Sequence, residues 1–432
     1  GPVVTRFPPE ASGFLHVGHA KAALINYLLK ERYEGELVFR FDDTNPDKED
    51  SAYESAIESD LHELGVHWDV GPTYTSDYFS EMYRLAEKML EEGTAYVDDT
   101  PVEELRTAKR AGVATRCRGQ TVEENLKMWR QMLEGAEGLV VRAKISVDDA
   151  NFTLRDPVLV RVKKGADHPR HGTKYVAFPS YDFACPVIDS LEGVTHALRT
   201  SEYNDRNAQY DWLISALGLR RPVVADYSRL NLEYTVMSKR KLAALVQRKI
   251  VDGWDDPRMP TVRGLRRRGL TIAGLRAFIE EGGMSRTTNL QQWSKIWACN
   301  RAIVDPAAAR VTAVSADAVR VRFTNFQSHA PAHAVRAAHP GLVLHRTGGG
   351  AADDHSDVVA VSWVMPLHPK SPGVGIRRVW RCPEALLDRA DVAELKDGDE
   401  VTLMGWGNCI VRRIVRKESM EGSAGAADVL EI

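Results

Sequence analysis

The sequence predicts an α/β protein: a doubly wound βα domain split by an insertion, then a helical segment, then a β-rich tail. Three observations carry this. Strand, helix and strand follow one another before residue 42. The same rhythm resumes after about residue 180. Beyond Pro306 the apolar residues fall into short alternating runs separated by turns.

Residues 3–7, "VVTRF", read as a short buried strand stopped by Pro8-Pro9. Ala20, Ala23, Leu24, Tyr27 and Leu28 then recur at helical spacing, which predicts a helix over about 18–33. In "ELVFRF" Leu37, Phe39 and Phe41 alternate as a strand, completing a βαβ unit. From about 75 to 180 the pattern changes: a helix near 78–92, charged irregular sequence, then "VVRAKI" and "VLVRVKK" as strands. The βα rhythm returns with "GVTHALRT", a helix carrying Tyr210, Leu213, Ile214 and Leu217, and the strand "PVVADY". Helices dominate to about Asp305. In the tail, "VRVRF", "VVAVSWVM", "VTLMGW" and "CIVRRIV" are strands, "RTGGGAADDHSD" and "EGSAGAAD" are loops. The final "DVLEI" is strand-like with nothing after it to pair with, which predicts an incomplete barrel.

The chain has 432 residues, 44% hydrophobic and 27% charged, as in a soluble globular protein. No apolar run reaches the roughly 20 residues of a membrane span, so no membrane partner is expected. Gly1-Pro2 reads as the remnant of a cleaved tag. Five scattered cysteines without a CxxC pair argue against a disulfide framework or a zinc site and fit a reducing compartment. With a net charge of −3, nucleic acid would have to be held by local clusters such as Lys239-Arg240-Lys241 and Arg266-Arg267-Arg268, each of which is also an ordinary solvated face.

Two stretches carry chemistry. His16 and His19 flank the start of the first helix, where unpaired backbone N–H groups and partial positive charge make an anion site, and Gly13 and Gly18 permit close approach. Taken alone, H-x-G-H is a weak motif that surface histidines satisfy equally. Met237-Ser238-Lys239 precede a helix with Leu242, Leu245 and Val246 on one face. A lysine-bearing loop can stabilise a phosphoryl transition state, or simply cap a helix.

Together, in this order and in a split βα domain, they resemble the HIGH and KMSKS signatures of class I aminoacyl-tRNA synthetases. "TRFPPEASGFLHVGHAKAAL", "FRFDDTNPDKE", "FPSYDFACP", "DSLEGVTHALRT", "SRLNLEYTVMSKRKL" and "DGWDDPRMPTVRGLRRRG" are similar to the glutamyl/glutaminyl subgroup. The resemblance covers Val3 to about Pro306. The β tail suits the barrel-type anticodon domain of eukaryotic and archaeal members, not the α-helical one of bacterial glutamyl enzymes.

That resemblance implies a Rossmann-type catalytic domain in two halves, 1–75 and 181–240, an acceptor-stem-binding insertion at 76–180, a helical connecting subdomain at 241–305, and a β-barrel anticodon-binding region at 306–432 that is shorter than usual. It implies that His16 and His19, with Gly13 and Gly18, hold the ATP phosphates and ribose region. Arg229 and Leu230 would line the adenine pocket, and Met237, Ser238 and Lys239 would form the signature loop, with Lys239 on the α-phosphate. Val17 and Arg240 are mild departures from the signatures. ATP is then a substrate, assisted by Mg²⁺, with no protein-held metal.

Glutamate binding falls to Arg6 and Arg199 for carboxylates, with Arg6 favoured for the side chain, Asp42 for the ammonium and Tyr181 for a hydroxyl at the wall. Arginine at 199 and "EASG" follow the glutamyl pattern. Asp42-Asp43 with Thr44 also reads as a helix cap ahead of "NPDKED". Arg266, Arg267 and Arg268 would meet tRNA phosphates. The implied activity is a cytoplasmic glutamate–tRNA ligase acting on L-glutamate, ATP and tRNA-Glu. Its alternatives are a non-discriminating enzyme that also charges tRNA-Gln, a glutaminyl enzyme, or a retired tRNA-binding paralogue. Multi-synthetase partners would be reached through an N-terminal extension absent from this sequence.

Overall fold

The computed structural model describes residues 1–46, 51–326, 343–346, 358–404, 406–415 and 429–431. It divides into two compact units, Gly1–Ala302 and Ile303–Ile432.

In the first unit, β1 (Val4–Phe7), α1 (Val17–Arg32), β2 (Glu36–Phe41), α2 (Ser51–Glu63) and β3 (Val70–Tyr74) build a parallel three-stranded sheet in the order β1-β2-β3. The helical spacing of Ala20, Ala23, Leu24 and Tyr27 is what seats α1. All four are buried in one core with Phe7, Leu37, Phe39 and Phe41. Full burial of a side chain such as Leu24 or Phe39 stabilises the fold by roughly 1.5–3 kcal/mol.

Next come α3 (Phe79–Glu91), β4 (Ala95–Asp98), α4 (Val102–Ala111), α5 (Val122–Leu133), β5 (Val140–Ala143), β6 (Val158–Val162) and β7 (Ala177–Pro179). The four strands pair antiparallel in the order β4-β5-β6-β7. Much of the stretch read as irregular from sequence is therefore β4, α4 and α5. The reason is physical: α4 buries no residue, and its short stripe of Val102, Leu105, Ala108 and Ala111 is set among charged side chains. In α5 the buried side chains include Asn125 beside Trp129 and Met132.

The parallel pair β8 (His196–Thr200) and β9 (Val223–Tyr227) follows α6 (Tyr181–Leu191) and encloses α7 (Asn207–Leu217). Tyr210, Leu213, Ile214 and Leu217 of α7 are buried. Thr195 N donates to Val4 O (2.9 Å), which brings β8 beside β1 and gives the spatial order β3-β2-β1-β8-β9. The order of connection reverses between β1 and β8, the crevice where doubly wound sheets bind ligands. The unit continues with β10 (Asn231–Leu232), α8 (Lys239–Gln247), α9 (Val262–Arg267), α10 (Ile272–Gly282), β11 (Leu290–Gln291) and α11 (Trp293–Val304).

The second unit holds β12 (Val319–Arg322), β13 (Val343–Arg346), β14 (Val358–Pro366), β15 (Ile376–Arg381), β16 (Glu384–Leu387), α12 (Arg389–Ala393), β17 (Glu400–Leu403), β18 (Gly407–Ile410), β19 (Arg413–Val415) and β20 (Val429–Glu431). Its sheets are β16-β12-β20-β19, β13-β14-β15 and β17-β18. Among the described residues these do not close into the expected barrel. "CIVRRIV" is two strands, β18 and β19, broken at Val411. The closing strand does find partners: β20 lies parallel to β12 and antiparallel to β19. It pairs backwards along the chain, which a search for a following partner misses. The two expected glycine-rich loops lie outside the described residues, apart from Arg346.

Candidate active site

The histidines sit at the first turn of α1, at the C-terminal end of β1. His16 is the N-cap, and its Nδ1 accepts from Gly18 N (3.1 Å) and His19 N (3.4 Å). His19 Nδ1 accepts in turn from His16 N (3.2 Å), and the rings stack 3.7 Å apart. Since each Nδ1 accepts, each ring carries its proton on Nε2 when neutral. Neutral they are: burial pushes His16 down to about 4, helped by the charges of Lys239 and Arg229, and His19 falls well below its ordinary value for the same reasons together with His16 itself. A Cβ on Gly18 would stand 2.9 Å from His16 Cε1 and 3.2 Å from Met237 Cε, so the turn requires glycine there. The "DPRMPTV" segment clamps it, with Val17 N donating to Pro260 O and Val262 N to Leu15 O, both at 2.9 Å.

The lysine loop closes the other side. Ser238 is the N-cap of α8 and Lys239 its first residue. Lys239 Nζ donates to Glu10 O and Ser12 Oγ, each at 3.2 Å, and its Cδ passes 3.7 Å from where a Cβ on Gly13 would be. An open cleft of about 620 Å³ lies alongside, lined by Arg229, Asn231, Met237, Ser238, Lys241 and Asn289 among others. Leu230 does not line it; it is buried in the core. Arg229 pairs with Glu202 (2.8 Å). Two cations, two neutral N–H donors and a helix N-terminus thus face one region, an arrangement suited to a polyanion.

The four residues expected to bind an amino acid occupy different electrostatic situations. Arg6 is buried and committed. Its Nε donates to both carboxylate oxygens of Asp189 (3.2 Å each) and a terminal nitrogen donates to Leu198 O (2.7 Å). Arg199, one residue on from Leu198 and 5% exposed, has no acidic partner among the described residues. Its Nε is unpartnered, and its guanidinium lies over the rings of Tyr203 (4.9 Å) and Tyr210 (5.5 Å). Tyr181 begins α6 and lines the same small recess as Arg199. Burial raises the Tyr181 hydroxyl well above the ordinary value. Asp42 Oδ1 is buried without a hydrogen bond, and burial pushes the carboxyl up to about 6 against the pull of Arg40 and Thr44. Arg199 is thus suited to an anion and Asp42, once ionised, to a cation.

Several residues that matter here escaped the sequence reading. Residues 47–50, most of the stretch ahead of which Asp42-Asp43 with Thr44 reads as a helix cap, lie outside the described residues, and Asp43 has a partner elsewhere. It accepts from Ser76 N (2.7 Å) and Ser76 Oγ (2.5 Å), tying β2 to the start of the next segment. Asp189, Arg40 and Glu192 form a buried ionic cluster around Arg6. None of these carries a local signal, because each partner is more than 30 residues away. The basic run is also less free than it reads. Arg266 pairs with Glu63 and Arg267 with Asp255 (3.2 Å), while Arg268 lies over Trp297 (5.0 Å).

Residues 2–306 match the family described as tRNA synthetases class I (E and Q), catalytic domain. Residues 356–427 match tRNA synthetases class I (E and Q), anti-codon binding domain. The chain is 46% identical over 421 residues to the cytoplasmic glutamate–tRNA ligase of Arabidopsis thaliana, covering 97% of this chain and 54% of that protein. Identity to the cytoplasmic glutamate–tRNA ligase of Saccharomyces cerevisiae is 43% over 432 residues (98% and 57%). Against the bifunctional glutamate/proline–tRNA ligase of Mus musculus it is 44% over 417 residues (96% and 25%). The chain therefore spans about half the length of the first two relatives and a quarter of the third. In fold it is similar to the crystal structure of a glutamate tRNA ligase from Elizabethkingia meningosepticum, with a TM-score of 0.53 at 20% identity over 71% of this chain and 70% of that one.

Proposed function

This chain belongs to the class I tRNA synthetases of the glutamate and glutamine group, and we propose that it activates L-glutamate with ATP and transfers it to tRNA-Glu. The observation that carries the choice of glutamate is Arg199, a buried guanidinium without a carboxylate of its own. Keeping such a charge buried and unpaired is costly, and an incoming carboxylate removes the cost. A glutamine amide would not. With Arg6 engaged by Asp189, Arg199 takes the side-chain carboxylate, and Asp42 receives the ammonium; this reverses the preference for Arg6 that the sequence suggested.

The first step needs no general base, because the substrate α-carboxylate is already ionised at neutral pH. One of its oxygens attacks the α-phosphorus of ATP, the bond to pyrophosphate breaks, and glutamyl-adenylate forms. His16 and His19 donate from Nε2 to phosphate oxygens while remaining neutral. Lys239 offsets the charge that builds on the α-phosphate, and Arg229 and Met237 hold the nucleotide along the cleft. A terminal ribose hydroxyl of the tRNA, the 2′ by class I habit, then attacks the glutamyl carbonyl and AMP leaves.

Mg²⁺ enters as the counter-ion of the ATP substrate. The one group of three potential metal ligands among the described residues, Asp98, Asp99 and Cys117, is in the antiparallel segment and already engaged by Arg142 and Arg116.

The segment 76–180 would receive the acceptor stem and 306–432 the anticodon. Arg268 is the best placed of its cluster to meet a phosphate. Two relatives are named cytoplasmic, and no helix among the described residues is long and apolar enough to cross a membrane; the reading includes a cytoplasmic location.

The test is charging of tRNA-Glu and tRNA-Gln transcripts, each with labelled glutamate and labelled glutamine. Glutamate on tRNA-Glu alone is the expected result. Glutamate on both transcripts makes the enzyme non-discriminating, and glutamine charging overturns the argument from Arg199.

A further inference from the structure

We propose that Asp189 is a positioning residue for amino-acid recognition: one buried carboxylate that fixes Arg6 against the Leu198 carbonyl, next to Arg199, and joins it, through Arg40 and Glu192, to β3 and the start of the antiparallel segment. The proposal rests on the glutamate reading above.

Asp189 lies in the last turn of α6 with no exposed surface. Its two oxygens receive Arg6 Nε (3.2 Å to each), a terminal nitrogen of Arg40 (2.8 Å), Tyr210 OH (3.1 Å) and the Cys185 thiol (3.6 Å). A carboxylate offers about four acceptor positions, so this one is saturated. It touches no solvent and cannot act on substrate itself. What it can do is hold others.

Its grip on Arg6 is directional. The guanidinium is a rigid planar fork, and Nε on Asp189 with a terminal nitrogen on Leu198 O fixes the orientation of its plane beside Arg199. Leu198 precedes Arg199, so the two arginines stand on neighbouring strands and repel one another. Asp189 offsets the Arg6 charge where it stands. Arg40 is balanced likewise, with its second terminal nitrogen on Glu192 Oε2 (2.5 Å). Arg6 and Arg40 against Asp189 and Glu192 sum to zero, which leaves Arg199 as the cation with charge to spare.

The same cluster reaches outward. Glu192 Oε1 accepts from Thr73 Oγ1 (2.6 Å) on β3 and from Tyr78 OH (3.4 Å) just before α3. Burial opposes ionisation of Asp189, yet Arg6 and Arg40 hold it below the ordinary carboxylate range, so it stays charged across the working pH range.

The experiment is steady-state charging of tRNA-Glu by wild type, Asp189→Asn and Tyr210→Phe, with KM measured separately for glutamate and for ATP and folding followed by thermal unfolding. Asp189→Asn keeps the shape and removes the charge, and its glutamate KM should rise at least tenfold while the ATP KM stays within twofold. Tyr210→Phe removes one donor and leaves the carboxylate; a two- to fivefold rise in glutamate KM alone is expected, and it decides the matter if Asp189→Asn does not fold. An unchanged glutamate KM in the folded variants overturns the proposal, as does an equal rise in both constants, the mark of a merely structural ion cluster. Wild type charging glutamine instead defeats the functional reading, which is a separate outcome read before either variant.

Discussion

His16 and His19 cap the same helix turn reciprocally: each ring accepts the other's backbone N–H at Nδ1, at 3.4 and 3.2 Å. The usual capping box assigns these tasks to a Ser or Thr and a Glu or Gln. Imidazoles perform both and retain an Nε2–H for another partner. One pair of side chains therefore secures the helix start and presents donors there, without adding a positive charge that would have to be desolvated.

The linkage of His16 to stability follows. In the fold its proton leaves at about 4, whereas the unfolded chain releases it near 6.5. Between those values the unfolded state binds more protons, so the contribution is complete above about pH 6.5 and is lost as pH falls towards 4. His16→Asn keeps a good N-cap and removes the titration. Between pH 7 and 4.5 the wild-type melting temperature should fall further than that of His16→Asn. Parallel falls would show that His16 does not titrate in this window.

Asp42 has the opposite sign. Its carboxyl is pushed up to about 6 in the fold, so ionisation above that pH costs stability in the free protein, and a bound ammonium repays it. Below pH 6 the protonated acid no longer pairs with an ammonium. We expect kcat/KM for glutamate to decline below pH 6 in the wild type. In Asp42→Asn that limb should vanish and KM at pH 7.5 should be raised at least tenfold. A variant that retains the acidic limb would place the titration on another group.

The two pocket arginines should respond in contrary ways. Arg6→Met leaves Asp189 and Glu192 to share Arg40, one buried negative charge in excess, and loss of one partner of such a buried pair costs about 3–5 kcal/mol. Arg199→Met strands no carboxylate; it forfeits contacts with the faces of Tyr203 and Tyr210, about 1 kcal/mol. Chemical denaturation should therefore find Arg6→Met much the less stable, while Arg199→Met folds normally and loses glutamate kcat/KM by about a hundredfold, as expected for an uncompensated charge–charge hydrogen bond. Equal stability losses would mean that Arg199 has a structural partner.

The parts of this molecule that could be read from sequence are those whose signal is local. The spacing of Ala20, Ala23, Leu24 and Tyr27 predicts α1 to within a residue of each end, and "HVGH" falls at the helix start as expected. What could not be read depends on distance along the chain. The sequence offers both Arg6 and Arg199 for carboxylates and favours Arg6 for the side chain, but the partner that engages Arg6, Asp189, is 183 residues away. Asp42 and Asp43 are neighbours in different situations just past β2: Asp43 is tied to Ser76, while Asp42 Oδ1 is buried without a hydrogen bond. The pairing of β20 is of the same kind: "DVLEI" reads as a strand, but its partners β12 and β19 come earlier in the chain, while α4 offers only a short apolar stripe among charged residues.

Lys239 supplies the most direct test of the site. Its Nζ reaches across from α8 to Glu10 O and Ser12 Oγ, both on the loop that leads from β1 to α1. Those contacts fasten the ammonium to the loop that leads into α1, beside His16 and His19. A charge placed where the α-phosphate becomes more negative contributes in the transition state more than in the ground state. Lys239→Ala should then lower the rate of tRNA-dependent ATP–pyrophosphate exchange by about 10²–10³, with the ATP KM changed little. Lys239→Arg, which keeps charge but not the compact ammonium, should recover part of the rate. If Lys239→Ala raises the ATP KM and spares kcat, the lysine binds nucleotide without acting on the reaction. If it changes neither, the contacts with Glu10 and Ser12 are its whole role.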